Sequence, residues 1–175
     1  IFSVEPMPRY LATLDFLEEE EKVPIKNLSA EKDYVTIGIL DNGIEKIPNL
    51  KPWLVGRWSP YPNDCISATH GTFVAGIALY GDDCQGKNWI QHKGMKLFDA
   101  AVFPDTDKEG IEEDELIANI KEAIKKFHKQ VKIWNLSISI KRPVVDTKFS
   151  DFAIALDSLQ DKYDVLICKS AGNCS

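Results

Sequence analysis

The fold is decided by a short apolar run at residues 35–40, VTIGIL, in which β-branched residues dominate. Such a run, followed by the turn-forming residues Asp41, Asn42 and Gly43, is typical of a buried strand that ends at a tight turn. Three further apolar runs have the same character and predict strands at residues 95–103, 132–140 and 165–170.

Segments between these runs carry apolar residues at every third or fourth position, which predicts helices at residues 70–80, 112–129 and 148–161. In the first helix the apolar residues on one side are Phe73, Val74, Ile77 and Ala78, and in the second they are Ile117, Ile120, Ile124 and Phe127. The third helix is expected to face inward with Phe149, Phe152, Leu156 and Leu159, and to be capped by Asp146 or Thr147.

The alternation of strands and helices predicts an α/β fold, because a helix must return the chain before a parallel strand can be added. We expect a three-layer, doubly wound, mostly parallel sheet with right-handed crossovers. The carboxyl ends of the strands then share one edge, where sites in such sheets are built. Residues 33–175 form this main unit, and residues 1–32 are a lead-in or propeptide-like segment with a helix at residues 8–22.

Composition excludes several classes of protein. The net charge of -6 argues against a nucleic-acid binder, which needs a basic surface to replace counterions. No apolar run approaches the length of a membrane span. The first residues show no signal-peptide pattern, and the compartment stays open between secreted and cytoplasmic.

The four cysteines form no metal-ligand doublet. Cys168 ends an apolar run and is expected to be a small buried residue. A disulfide between Cys65 and Cys84 is an alternative to two free thiols, and the sequence does not decide between them.

Three segments at strand ends or helix starts carry side chains suited to chemistry. Asp41 leaves the first strand at a turn, and His70 opens a helix beside small residues. Asn173 follows the last strand in the sequence SAGN. The structural alternatives are a simple turn residue for Asp41, a surface histidine for His70 and a plain turn around Asn173.

Together these segments resemble the subtilase family of serine peptidases. The sequence HGTFVAG at residues 70–76 matches the family's H-G-T-x-V-A-G signature, and residues 35–43 are similar to the strand and turn around its catalytic aspartate. Residues 95–103 and 133–139 look like two further strands of the family, and SAGN at residues 170–173 matches the element that carries its oxyanion-stabilising asparagine. The resemblance runs in order from about residue 33 to residue 175.

The resemblance implies a serine endopeptidase in which His70 is the general base, Asp41 orients it and Asn173 stabilises the oxyanion. It implies peptide-binding residues at the ends of two strands, namely Asn135, Ser137, Ile138, Ser139, Ser170, Ala171 and Gly172. No cofactor is required for this chemistry. Asp82 and Asp83 are candidates for a structural calcium site of the kind many subtilases carry, and exposed loop acids are the alternative.

Some positions depart from the family pattern. Asn42 stands where Ser or Thr usually follows the aspartate, and Ser139 stands where Gly is usual, which would narrow the entrance to the S1 pocket. The family's Gly-Thr-Ser nucleophile motif is absent, so we expect a fragment of a longer polypeptide that is inactive alone. Its partners would be a polypeptide substrate and the remaining C-terminal part of the same catalytic domain, and the missing part would leave a sheet edge and an apolar face exposed.

Two other classes of function remain alternatives. A pseudo-protease would bind peptides at the same edge without cutting them. An unrelated doubly wound ligand-binding module is disfavoured, because no strand is followed by a glycine-rich nucleotide-binding motif.

Overall fold

The computed structural model of the chain describes residues 9–10, 25–29, 33–87, 94–105, 110–138 and 149–171. The strands are β1 (Arg9–Tyr10), β2 (Thr36–Asp41), β3 (Leu54–Trp58), β4 (Lys96–Ala101), β5 (Ile111–Glu112), β6 (Ile133–Leu136) and β7 (Leu166–Lys169). The helices are α1 (Thr69–Cys84), α2 (Glu113–Phe127) and α3 (Asp151–Tyr163). Two short 3-10 turns lie at Lys51–Trp53 and Asn63–Cys65.

Five strands form one sheet in the order β3-β4-β2-β6-β7, and every pairing in it is parallel. The predicted α/β class and the parallel sheet are therefore confirmed. β2 is the central strand, so its carboxyl end with Asp41 lies in the middle of one sheet edge. Gly38 in β2 leaves room for the ring of Trp134 in β6, since a Cβ there would lie 2.2 Å from that ring.

Side chains alternate between the two faces of the sheet, and each face has its own core. Ile39 and Leu97 pack with Ala75 and Leu79 of α1, whereas Leu40 and its neighbours on the opposite face pack with α2 and α3. Helices thus cover both faces, which gives the three expected layers.

The crossovers do not share one hand. The chain moves in the same direction across the sheet from β3 to β4, from β4 to β6 and from β6 to β7, yet α1 lies on the opposite face from α2 and α3. The β3–α1–β4 crossover therefore has the opposite hand to the other two, and the expectation of uniformly right-handed crossovers is wrong. This arrangement places the start of α1 against the end of β2.

Several local predictions were also wrong. Strand β3 was not predicted, and residues 9 and 10 pair as a strand with β5 where a helix was expected. The remainder of that expected helix, residue 8 and residues 11–22, lies outside the described residues. Helix α3 begins at Asp151 with Ser150 as its N-cap, so neither Asp146 nor Thr147 caps it, and Phe149 lies before the helix and is 86% exposed.

In the described part of the chain, the β7 edge of the sheet and one side of α1 are uncovered. β7 pairs with β6 on one side only, and Leu166 on it is 53% exposed. On α1, Phe73 and Ile77 are 52% and 55% exposed, while Gly71, Ala75 and Leu79 form the buried side. Among the described residues, no helix combines the length and the apolar character needed to cross a membrane.

Candidate active site

The carboxylate of Asp41 and the imidazole of His70 are in direct contact. His70 Nδ1 lies 2.8 Å from Asp41 Oδ1 and 2.9 Å from Oδ2. Asp41 is the last residue of the central strand and is fully buried, whereas His70 is the second residue of α1 and its side chain is 13% exposed. The carboxylate therefore holds one ring nitrogen of an imidazole that still reaches solvent.

The turn after Asp41 fits closely against the start of α1. The backbone N–H of Gly71 donates to Asn42 Oδ1 at 3.0 Å, and the N–H of Glu45 donates to Thr72 Oγ1 at 2.8 Å. A Cβ at position 71 would lie 2.1 Å from the carbonyl oxygen of Gly43, so only glycine allows this approach. Asn42, which departs from the family pattern, thus ties the strand end to the helix that carries His70.

Burial and hydrogen bonding act on both members of the pair. The hydrogen bond to Asp41 raises the pKa of His70 above its ordinary value, against burial, which lowers it. Burial raises the pKa of Asp41, while hydrogen bonds from His70 and from the N–H of Asn42 oppose that rise. The pair is therefore strongly coupled, and its charge state depends on both groups.

A second buried carboxylate lies beside the first and was missed by the sequence analysis. Asp99 in β4 is 2% exposed and interacts with Arg57 of β3, whose Nε lies 3.3 Å from Asp99 Oδ2. The available signal was an aspartate inside an otherwise apolar strand, since a charge there needs a partner. Arg57 also lines an open cleft of about 530 Å³, with Ile44, Ile66 and Ala68 among its other walls.

The ends of β6 and β7 form another part of the same sheet edge. Asn135 donates to Ser137 Oγ at 2.8 Å, and the N–H of Ser170 donates to the carbonyl of Leu136 at 3.1 Å. The carbonyl oxygen of Ile138 accepts from Ser170 Oγ at 3.1 Å.

Lys169, which was not predicted as a site residue, donates to the same Ile138 carbonyl at 2.9 Å through Nζ. Burial lowers the pKa of its amine. The carbonyl of Ile138 thus already has two side-chain donors.

A model of Peptidase S8, the subtilase family, matches residues 32–175 of the chain. The chain belongs to the subtilase family. No curated protein and no solved structure matches it. Membership confirms the resemblance seen in the sequence and supports serine peptidase function and a polypeptide substrate in general terms.

The structure describes only some of the other predicted site residues of this subtilase. Ala171 is exposed at the end of β7, while Ser139, Gly172 and Asn173 lie outside the described residues, so the role of Asn173 stays a prediction. Among the described residues, no group of three or more His, Cys, Asp or Glu side chains is placed to hold a metal ion. Asp83 forms an ion pair with Lys26.

The cysteines differ from two of the expectations. Cys65, Cys84 and Cys168 are exposed free thiols. The expected burial of Cys168 is wrong because Cys168 lies with Leu166 on the side of edge strand β7 that the described residues leave exposed. The Cys65–Cys84 disulfide, one of two alternatives, is not formed.

Proposed function

We propose that this subtilase chain carries the acid and the base of an endopeptidase that cleaves peptide bonds with an Asp–His–Ser triad. The observation that supports this most strongly is the contact of His70 Nδ1 with both carboxylate oxygens of Asp41. The serine would be supplied by polypeptide beyond residue 175, so the chain alone would be inactive.

His70 would act as the general base. With Nδ1–H donated to Asp41, the neutral imidazole keeps its lone pair on Nε2, which is the atom that accepts a proton from an attacking hydroxyl. The protonated ring then returns this proton to the leaving amine. Asp41 fixes the tautomer and stabilises the imidazolium, in agreement with the raised pKa of His70.

The substrate would lie along the rim beyond β6 and β7. An extended peptide gains affinity by pairing its backbone with free groups of a strand. Ser137, Ile138, Ser139, Ser170, Ala171 and Gly172 are the proposed binding residues, together with Asn135. Because the carbonyl oxygen of Ile138 already accepts from Lys169 and Ser170, we assign the backbone hydrogen bonds to the peptide to Ser137 and Ser139, and Ile138 lines the site between them. Asn173 is proposed to donate to the oxyanion.

No metal takes part in the proposed chemistry. A structural calcium ion held by Asp82 and Asp83 stays a proposal, with exposed loop acids as the alternative. Asp83 forms an ion pair with Lys26.

The test is labelling of the full-length polypeptide with a fluorophosphonate, which reacts only with an activated serine. We expect labelling in the wild type and its loss in His70→Ala, with His128→Ala as the matched control because His128 contacts the carbonyl of Lys125 on α2, far along the chain from the pair. An unlabelled wild type that still binds peptides would overturn the proposal in favour of a pseudo-protease.

A further inference from the structure

Asp99 occupies an unusual position for a carboxylate. It lies in the interior of β4, where its neighbours Phe98 and Ala100 are 4% and 0% exposed. A charge in such surroundings is costly unless it is paired and hydrogen-bonded. The contacts of Asp99 therefore indicate its role.

Those contacts lead to the turn that carries Asp41. Asp99 Oδ2 accepts from the backbone N–H of Ile44 at 3.1 Å, three residues beyond Asp41, and Arg57 Nε approaches the same oxygen at 3.3 Å. Among the described residues, Oδ1 of Asp99 is buried with no hydrogen-bond partner. Arg57 reaches over the turn as well, because a Cβ at Gly43 would lie 3.3 Å from its terminal nitrogen.

The register of the sheet places the two carboxylates close to each other. Ile39 pairs with Asp99 and Asp41 pairs with Ala101, so Asp41 and Asp99 are diagonal neighbours on the face that α1 covers. Burial, together with the charge of Asp41, raises the pKa of Asp99 to about 6, although Arg57, the Ile44 N–H and Lys46 oppose the rise. Asp41 is the charged group that acts on His70.

We propose that Asp99 and Arg57 are positioning residues for the Asp41–His70 pair, and that they act by fixing the turn at residues 42–44. Asp99 and Arg57 contact different parts of this turn. Asp99 accepts a hydrogen bond from the N–H of Ile44, at the end of the turn. Arg57 lies against Gly43, and the carbonyl oxygen of Gly43 lies against Gly71 at the start of α1. If the contact made by Asp99 or the contact made by Arg57 is lost, the turn and α1 separate slightly and the hydrogen bond between Asp41 and His70 weakens.

The proposal deepens the proposed function but is tested without any peptidase activity. The readout is the pKa of His70 in the 175-residue chain, followed by NMR of labelled imidazoles and assigned with a His70→Gln variant. Two single variants are compared, Asp99→Asn and Arg57→Gln. A change of charge alone would move the His70 pKa in opposite directions, downward in the first variant and upward in the second.

We expect both variants to lower the His70 pKa, by roughly half a unit or more, because both loosen the same hydrogen bond. The amide resonances of residues 42–44 should shift with it. Charge-matched controls at exposed positions, Asp64→Asn and Lys51→Gln, should change the pKa by less than about 0.2 unit, since water screens them.

Opposite shifts in the two variants would show a field effect only and would overturn the positioning role, as would an unchanged His70 pKa in both. Because the Arg57 side chain is 34% exposed, its variant remains a valid test if Asp99→Asn does not fold. A failed phosphonate labelling of the full-length polypeptide would reject the peptidase without affecting this result.

Discussion

Gly71 is the position where the site should tolerate change least. It is the third residue of α1, and its N–H donates to Asn42 Oδ1. The Cβ introduced by Gly71→Ala would lie 2.1 Å from the carbonyl oxygen of Gly43 and 3.2 Å from the Cβ of Asp41. Both groups belong to a buried turn, so relief requires that α1 moves away from β2.

The same substitution at Gly76 provides the control. Gly76 lies in the same helix, and a Cβ there would meet none of the described residues within 4 Å. Alanine should stabilise the protein there by about 0.5–1 kcal/mol through helix propensity alone. At Gly71 that gain is outweighed by overpacking of about 1–3 kcal/mol and by a strained or lost hydrogen bond of about 1 kcal/mol. We therefore expect Gly71→Ala to be about 2–4 kcal/mol less stable than Gly76→Ala.

Urea unfolding of the 175-residue chain measures this difference. With a denaturant dependence of about 2 kcal/mol per molar, the two midpoints should differ by about 1–2 M. The pKa of His70 should also fall in Gly71→Ala and stay unchanged in Gly76→Ala, because only the first moves the imidazole from Asp41. Equal midpoints would refute the close approach of α1 to the Asp41 turn, and with it the geometry assigned to the site.

Three further substitutions test the same region. Asp41→Asn should lower the pKa of His70 toward about 6.5, which NMR measures. Because the pKa of His70 is higher in the folded protein than in the unfolded chain, the interaction with Asp41 contributes stability that is present below about pH 6.5 and is lost as the pH rises through the folded-state pKa of His70. Asn42→Ala leaves a buried N–H of α1 without an acceptor and should cost about 1–3 kcal/mol in urea unfolding, and a loss below about 0.5 kcal/mol would contradict this. For Asp99 the folded state binds a proton up to about pH 6 and the unfolded state only up to about 3.8, so the stability of the wild type relative to Asp99→Asn should fall by about 2 kcal/mol from pH 4 to pH 6; a flat difference would show that Asp99 is not desolvated.

Much of the fold was predictable because its signals are local. Apolar runs and three-to-four periodicity placed β2, β4, β6 and β7 and the helices α1, α2 and α3 of the described residues, within a few residues of the observed bounds. β3 escaped prediction because its sequence LVGRW is short, contains a glycine and an arginine, and becomes a strand through pairing with β4. A strand of this kind depends on its partner more than on its own residues.

The buried side of α1 was harder to recognise. The large apolar residues Phe73 and Ile77 indicated one side of the helix, yet the contact side is made by Gly71, Ala75 and Leu79. Close approach of a helix to a backbone turn selects small residues, whereas hydrophobic periodicity weights large ones. The contact with the turn after Asp41 is therefore made by Gly71, which carries no hydrophobic signal.

The sequence by itself determined the order of β2, β4, β6 and β7 and of α1, α2 and α3 along the chain, the family, and the choice of Asp41 and His70 as candidates, since each of these depends on neighbouring residues or a contiguous motif. Only the tertiary structure decided the hand of the β3–α1–β4 crossover, which brings the imidazole onto the carboxylate. It alone also revealed the second pair, Asp99 and Arg57, beneath the same turn. The physical reason is that these contacts join residues far apart in the chain, and such contacts are fixed by sheet register and helix placement.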